Sequence, residues 1–248
     1  LHKCVRSSFI INIMKNNMNT NIIEGNPTKK FFIEMITRDI SIEDAIIDLL
    51  DNSIDGATQI NPNDLSGFVI NIEIDANKLS IKDNCGGFSL DRAQRYACRF
   101  GRPEDAPTIK NSVGRFGIGM KRALFKMGKK FSVESQKDLE HFLVNVNVDE
   151  WCDKVKQVNT LDGKTVKIDD WTFESMTIDD RNSEDGTTIV VTDLKEDVKA
   201  LFGNEDFLNS LYVSITKMLC FSLIKGMKIT LNNKTLTANC PELFISEN

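Results

Sequence analysis

Histidine is scarce in this chain, with two residues, and none of the six cysteines (4, 85, 98, 152, 220 and 240) belongs to a Cys-x-x-Cys pair. These absences leave no zinc-ligand spacing, and reduced thiols in a cytoplasmic protein are the simplest reading of the cysteines. No apolar run approaches the roughly 18–20 residues of a membrane span. Phe9–Met14 is short and broken by Asn12, too little for the core of a signal peptide. The chain does not begin with Met, residues 1–17 are Asn-rich, and Met14 or Met18 offers an alternative start. Net positive charge is also missing: at −5 the surface is not built to neutralise a nucleic-acid backbone, so nucleic acid is not indicated as a partner. Neither repeats nor linkers divide the 248 residues, which suffice for one good core.

Hydrophobic content of 41% and charged content of 27% are ordinary for a globular domain. The charge, however, is unevenly placed. From Glu34 to Asp55 seven acids face the single Arg38, whereas Arg92 to Lys130 holds eleven Lys or Arg against Glu104 and Asp105. Either cluster alone reads as a solvated face. Together they suit an acidic metal-binding segment opposite a basic phosphate-facing one.

The pattern predicts a helix over 29–38 and a second one opened by Ser41-Ile-Glu-Asp44, a capping-box-like start. This second helix has an apolar face of Ile42, Ala45, Ile46, Leu49, Leu50 and Ile54. Asp44, Asp48, Asp51, Asn52 and Asp55 form a polar stripe on the other side, and Gly56 is expected to end it. Phe68–Asp75 and Leu79–Asp83 read as a hairpin turning at Ala76-Asn77. A helix over 90–99, a loop over 100–113 and a helix over Gly117–Met127 follow. Next come Lys130–Ser135 paired with Phe142–Val148, strand fragments in 150–187 and a buried strand Thr188–Asp193. A long helix Phe207–Ile224 and a strand Lys228–Leu231, turning at Asn232-Asn233, complete the pattern. The crossovers are mostly too short for a doubly wound sheet, which leaves one α+β domain.

Three stretches occur in order: Asp48-Leu-Leu-Asp-Asn52-Ser-Ile-Asp55, Asp83-Asn-Cys-Gly-Gly87-Phe, and Gly114-Arg-Phe-Gly117-Ile-Gly119-Met-Lys121. Asp48 and Asn52 lie one helical turn apart and face the same way. An Asn oxygen is a hard ligand suited to Mg²⁺, and a carboxylate one turn earlier can orient or deprotonate water; the plain alternative is a solvated acidic stripe. Asp83, at a strand end before two glycines, can accept from the exocyclic amine of a base, or simply make an Asp-Asn turn. The third stretch places glycines before a helix whose free N–H groups and dipole favour phosphate, with Arg115, Lys121 and Arg122 adding charge. It is neither a Walker A loop, lacking GK[ST], nor a Rossmann fingerprint on the first strand. The preceding loop, 100–113, is placed to close as a lid.

These residues resemble the GHKL ATPases, the group of gyrase B, Hsp90, MutL and the histidine kinases, over about residues 29–238. Asp48–Asp55 is similar to the family's N-box E-x-x-x-N-x-x-D, Asp83–Gly87 to its D-x-G-x-G box, and Gly114–Gly119 to its lid-flanking glycine box. Gly186-Thr187 is similar to its late G-T element, and Met120-Lys121 is closer to the MORC and bacterial Hsp90-like branch than to gyrase. The resemblance implies a Bergerat (Hsp90-like) ATP-binding fold: a two-layer sandwich of a mixed, mostly antiparallel sheet covered by helices on one face. It implies Mg²⁺ and ATP as cofactors, with Asn52 holding the metal and Asp48 as general base. Asp83 would bind the adenine amine, helped by Thr187, while Asp55, Asn84 and Gly87 would line the base and sugar. Gly114, Arg115, Phe116, Gly117, Ile118, Gly119, Met120 and Lys121 would form the phosphate side, Lys121 near the γ-phosphate.

The chain departs from the family at two positions. Asp48 stands where hydrolysing members carry Glu, one methylene longer; a misplacement of about 1 Å can cost on the order of 10²-fold in rate. Cys85 replaces the first glycine of the second box, as a packed residue or a thiol near the nucleotide. Three readings follow: an ATPase cycling between open and closed states as a nucleotide-dependent homodimer that drives an effector; a non-hydrolysing nucleotide sensor; and a histidine kinase. The last fares worst, because neither His2 nor His141 lies on a helix before the N-box. The division expected is a tail over 1–20, disordered or touching a partner, a domain over 21–240, and an end over 241–248 where a transducer would begin.

Overall fold

The computed structural model describes residues 25–101, 118–160, 163–181 and 183–239. Helix α1 (Lys29–Thr37) is capped by Thr28, and α2 (Ile42–Ile60) by Ser41, whose hydroxyl oxygen accepts from the amide of Asp44. Strands β1 (Val69–Asp75) and β2 (Lys78–Asp83) form the expected hairpin. A short helix α3 (Leu90–Arg92) runs into a π-helical turn, Ala93–Ala97. Helix α4 (Gly119–Met127) leads into β3 (Gly128–Lys137) and β4 (Glu140–Asn147). Helix α5 (Val148–Asp153) precedes a two-stranded hairpin of β5 (Val155–Asn159) and β6 (Thr165–Asp169). Then come β7 (Ser175–Thr177), β8 (Gly186–Leu194), α6 (Glu196–Phe202), α7 (Glu205–Met218), α8 (Cys220–Ile224), β9 (Lys228–Leu231) and β10 (Lys234–Thr235).

Eight strands make one sheet in the order β10-β9-β1-β2-β8-β3-β4-β7, antiparallel throughout except where β1 runs beside β9. Period-two alternation gives the sheet two unlike faces. Ile70, Ile72, Leu79, Ile81, Ile189, Val191, Phe131, Val133, Phe142 and Val144 share one face by register and are buried. They join Ala45, Ile46, Leu49 and Leu50 of α2 and Ala123, Leu124 and Phe125 of α4 in a single core. The reverse face carries polar residues such as Asn71, Glu73, Ser80, Lys82 and Ser132. This is the α+β two-layer sandwich, with helices on one face of a mostly antiparallel sheet.

Four expectations change. Gly56 does not end α2, which runs another turn to Ile60. Its backbone stays helical, and the missing Cβ serves a close approach: a methyl there would lie 2.6 Å from the carbonyl oxygen of Cys85. The expected helix over 207–224 breaks at Leu219 (φ −99°, ψ 18°) into α7 and α8. Helix α6 was not anticipated, because only Val198 and Phe202 of its seven residues are buried and its apolar stripe is short. The helix over 90–99 is a single turn followed by the π-helical turn. At Asn232-Asn233 the expected turn forms with both φ values positive (47° and 64°), as a type I′ hairpin requires.

Lys29 is almost wholly buried at the start of α1. Its ammonium donates to the carbonyls of Trp151 and Lys154, both at 2.6 Å, and so satisfies the open C-terminal end of α5. Around it Phe32, Phe100, Phe125, Trp151, Trp171 and Phe173 pack edge-on, tilted or stacked. That aromatic block fixes the helix layer beside α4.

Candidate functional site

Asp83 ends β2, and the sheet register sets it opposite Thr187 of β8. Its carboxylate is buried and accepts three hydrogen bonds: from the Ser53 hydroxyl at 2.7 Å to Oδ2, and from the amides of Cys85 (2.8 Å) and Thr187 (3.3 Å) to Oδ1. Burial pushes its carboxyl above the ordinary value, and the three donors pull the other way. A carboxylate offers about four acceptor positions, so one remains for a further donor. Ser53 belongs to α2, and the hydroxyl is what joins that helix to the sheet here. The signal lay in the sequence: Leu49, Leu50, Ser53 and Ala57 fall on one helical face, and Ser is the polar exception on it.

The loop after Asp83 fits because glycines surround it: Gly86, at φ +85°, would place a Cβ 2.4 Å from Ile60 Cδ1, and Gly186 would place one 2.0 Å from the Asp83 carbonyl oxygen. Besides Gly56 beneath it, Gly87 has φ +52° and would place a Cβ 2.1 Å from the Gln136 carbonyl oxygen. Gly87 thus buttresses the loop against β3. Cys85 is buried, and desolvation, then the charge of Asp83, push its thiol well up. It is a packed residue and not a reactive one. Asn84 is spent on backbone: its Oδ1 accepts from the Val69 amide (2.6 Å), and its Nδ2 donates to Gly67 O and Glu184 Oε2 (both 3.0 Å). Those bonds tie down the start of β1 and the approach to β8, so the expected base or sugar contact from the Asn84 side chain is not prepared in this conformation.

On the solvent side of α2, Asn52 is exposed and donates from Nδ2 to the Asp48 carbonyl (2.9 Å). Its Oδ1, the atom that suits a hard cation, accepts nothing among the described residues. Asp51 and Asp55 are half-buried on the same stripe. Burial, then the charges of Asp48 and Asp55, push the Asp51 carboxyl up to about 6. The acids of this stripe thus raise one another's cost of ionising, on top of burial.

Asp48 is not free. Arg122 of α4 donates to its Oδ2 from Nε (3.0 Å) and Nη2 (2.7 Å). The same oxygen would lie 3.5 Å from a Cβ placed on Gly119. The N-terminus of α4, with Ile118 as its cap residue and Met120 packed on the core, thus stands directly over Asp48. Lys121 is not presented to this space: it is 4% exposed and donates to the Ala97 carbonyl at 2.6 Å. Burial lowers its ammonium to about 8. The expected γ-phosphate contact would need Lys121 to leave that bond. Gly114, Arg115, Phe116 and Gly117, and the lid expected over 100–113 beyond Gly101, lie outside the described residues.

The structure therefore brings Asp48, Asn52, Asp83, Thr187 and Gly119 around α2, the end of β2 and the start of α4. A family model described as histidine kinase-, DNA gyrase B-, and HSP90-like ATPase matches residues 40–187, more than half of the chain. The chain belongs to this family. The match spans α2 through the first residues of β8 and so includes every one of these side chains. A search of curated proteins found no match. Membership in this ATPase family carries ATP binding, with hydrolysis as the family's general activity. No described helix is long and apolar enough to cross a membrane.

Proposed function

We propose that this domain binds Mg-ATP and hydrolyses it slowly to ADP and phosphate. The observation that carries this reading is Asp83: a buried carboxylate with three donors and one acceptor position left, at a strand end where close-packed glycines set the backbone. Such a group matches the exocyclic amine of adenine, and Thr187 beside it completes that recognition. Asn52 would hold Mg²⁺ through Oδ1, where the acids of α2 favour a cation; when bound, the ion neutralises phosphate charge. Asp48 accepts the proton of the attacking water. Ile118 and Gly119, at the N-terminus of α4, would offer backbone N–H groups to the phosphates. Within the family, Met120-Lys121 speaks for a MORC-like or bacterial Hsp90-like relationship over a gyrase-like one. Nucleotide-driven closure and homodimerisation, acting on an effector, would be its output.

Isothermal titration of wild type and Asp83→Asn with Mg-ATP tests the assignment. The variant should lose binding, because an amide replaces one acceptor oxygen by an NH2 donor where both oxygens accept; equal affinities would sink it. Light scattering with a non-hydrolysable analogue tests dimerisation, and a monomer throughout would refute that part. One observation favours a second reading, a binding module without turnover: Asp48 is short and already engaged by Arg122. Phosphate release equally slow in wild type and Asp48→Ala would select it.

A further inference from the structure

Arg122 lies on the second half-turn of α4, and its side chain leans back toward the helix N-terminus, as helical side chains do. That direction brings the guanidinium from α4 across to α2, to a residue 74 positions away in sequence. Both contacts fall on one oxygen: Nε at 3.0 Å and Nη2 at 2.7 Å from Oδ2. The usual side-on fork would engage both oxygens. Here Oδ1 accepts no hydrogen bond among the described residues, while Oδ2 is held twice and lies on the side of Gly119, 3.5 Å from where a Cβ there would sit. Both side chains are partly exposed, so the pair borders the open side of the site.

We propose that Arg122 is the positioning residue for Asp48, fixing the shorter carboxylate by Oδ2 so that Oδ1 is left to take a proton from water. This rests on the reading of Asp48 as the general base. An aspartate has one fewer torsion than glutamate and less reach, and one donor pair on a single oxygen sets both its torsions. A rigid tether from the neighbouring helix supplies the orientation that loose placement would lose. Sequestration would look different: it would cap both oxygens. Arg122 also stands on the helix whose N-terminus would face the phosphates, so the two hydrogen bonds tie the Asp48 side chain to that helix.

The test is a double-mutant cycle read by single-turnover ATP hydrolysis and by ATP titration. It uses the full chain as wild type, Asp48→Asn, Arg122→Met and the double variant. General-base loss in Asp48→Asn should lower the rate constant on the order of 10²-fold or more. Arg122→Met, which keeps the apolar stem, should lower it at least roughly tenfold with ATP affinity unchanged. Adding Arg122→Met to Asp48→Asn should then change nothing further, since Arg122 acts only through Asp48. Arg122→Lys, able to make one contact, should fall between wild type and Met, and it serves as the second variant if Met folds poorly.

Equal losses from Arg122→Met in both backgrounds, or a loss of ATP affinity as large as the loss in rate, would overturn the proposal by making Arg122 a direct phosphate ligand. If ATP binds and Asp48→Asn hydrolyses like wild type, the base assignment fails and the positioning role falls with it. If ATP does not bind at all, the nucleotide reading itself has failed.

Discussion

Replacing Ser53 by Ala would remove one hydroxyl and nothing else from the contact between α2 and the end of β2. The bond lost is 2.7 Å long, buried, and made to the carboxylate of Asp83. A hydrogen bond to a charged acceptor contributes about 1.5–3 kcal/mol, and the small volume change adds little. Burial already pushes the Asp83 carboxyl above its ordinary value; losing a donor to the charged form pushes it further. The sign follows from linkage. An acid whose folded value is raised favours folding when protonated, and that advantage fades as pH rises through the folded value. The variant's raised value means its native state holds the proton over a window where the wild type has lost it. The cost of Ser53→Ala should therefore be full, about 2 kcal/mol, at pH 7 to 8. It should shrink as pH falls toward the unfolded carboxyl range near 4. Urea unfolding followed by circular dichroism at several pH values measures this directly. A cost under about 0.5 kcal/mol at pH 7.5, or one independent of pH, would refute the account of Asp83 as a charged group held by Ser53.

Two further outcomes follow from the same region. Gly56→Ala gains about 1 kcal/mol of helix propensity, but its methyl would meet the Cys85 carbonyl at 2.6 Å. The clash costs about 1–3 kcal/mol and also disturbs the Asp83 loop, so thermal melts should show net destabilisation and titration weaker ATP binding. Asp51, raised to about 6 by burial and by its acidic neighbours, penalises the folded state above that pH. Asp51→Asn should stabilise the domain at pH 8 by at most about 3 kcal/mol, reduced toward 1 by solvent screening. Below pH 4 it should have no effect, so chemical unfolding at the two pH values should show a gain only at the higher one.

Much of the frame was legible because it depends on local periodicity and caps. The Ser41 cap, the apolar face of α2, the β1–β2 hairpin and the type I′ turn at Asn232-Asn233 each follow from neighbours within a few residues. Gly56 misled because glycine near a helix end usually marks a C-cap; here the reason for glycine is a carbonyl 29 positions later in the chain. The break at Leu219 gives no Gly or Pro signal. Asn84 and Lys121 sit inside matching motifs, yet their polar atoms are committed to Val69, Gly67, Glu184 and Ala97. Motif spacing places a residue beside a site; it does not say which way the side chain turns.

By itself the sequence determined the ordered set of Asp48, Asn52, Asp83 and the glycine stretch, because those residue types and spacings are what the chemistry needs. It also determined an α+β domain, since strand alternation and short crossovers permit little else. Only the tertiary structure decided what each carboxylate faces. Asp83 meets Ser53 across 30 positions and Asp48 meets Arg122 across 74. Pairs so far apart in the chain are joined by how α2, α4 and the sheet pack, a balance of burial and shape that no local pattern records.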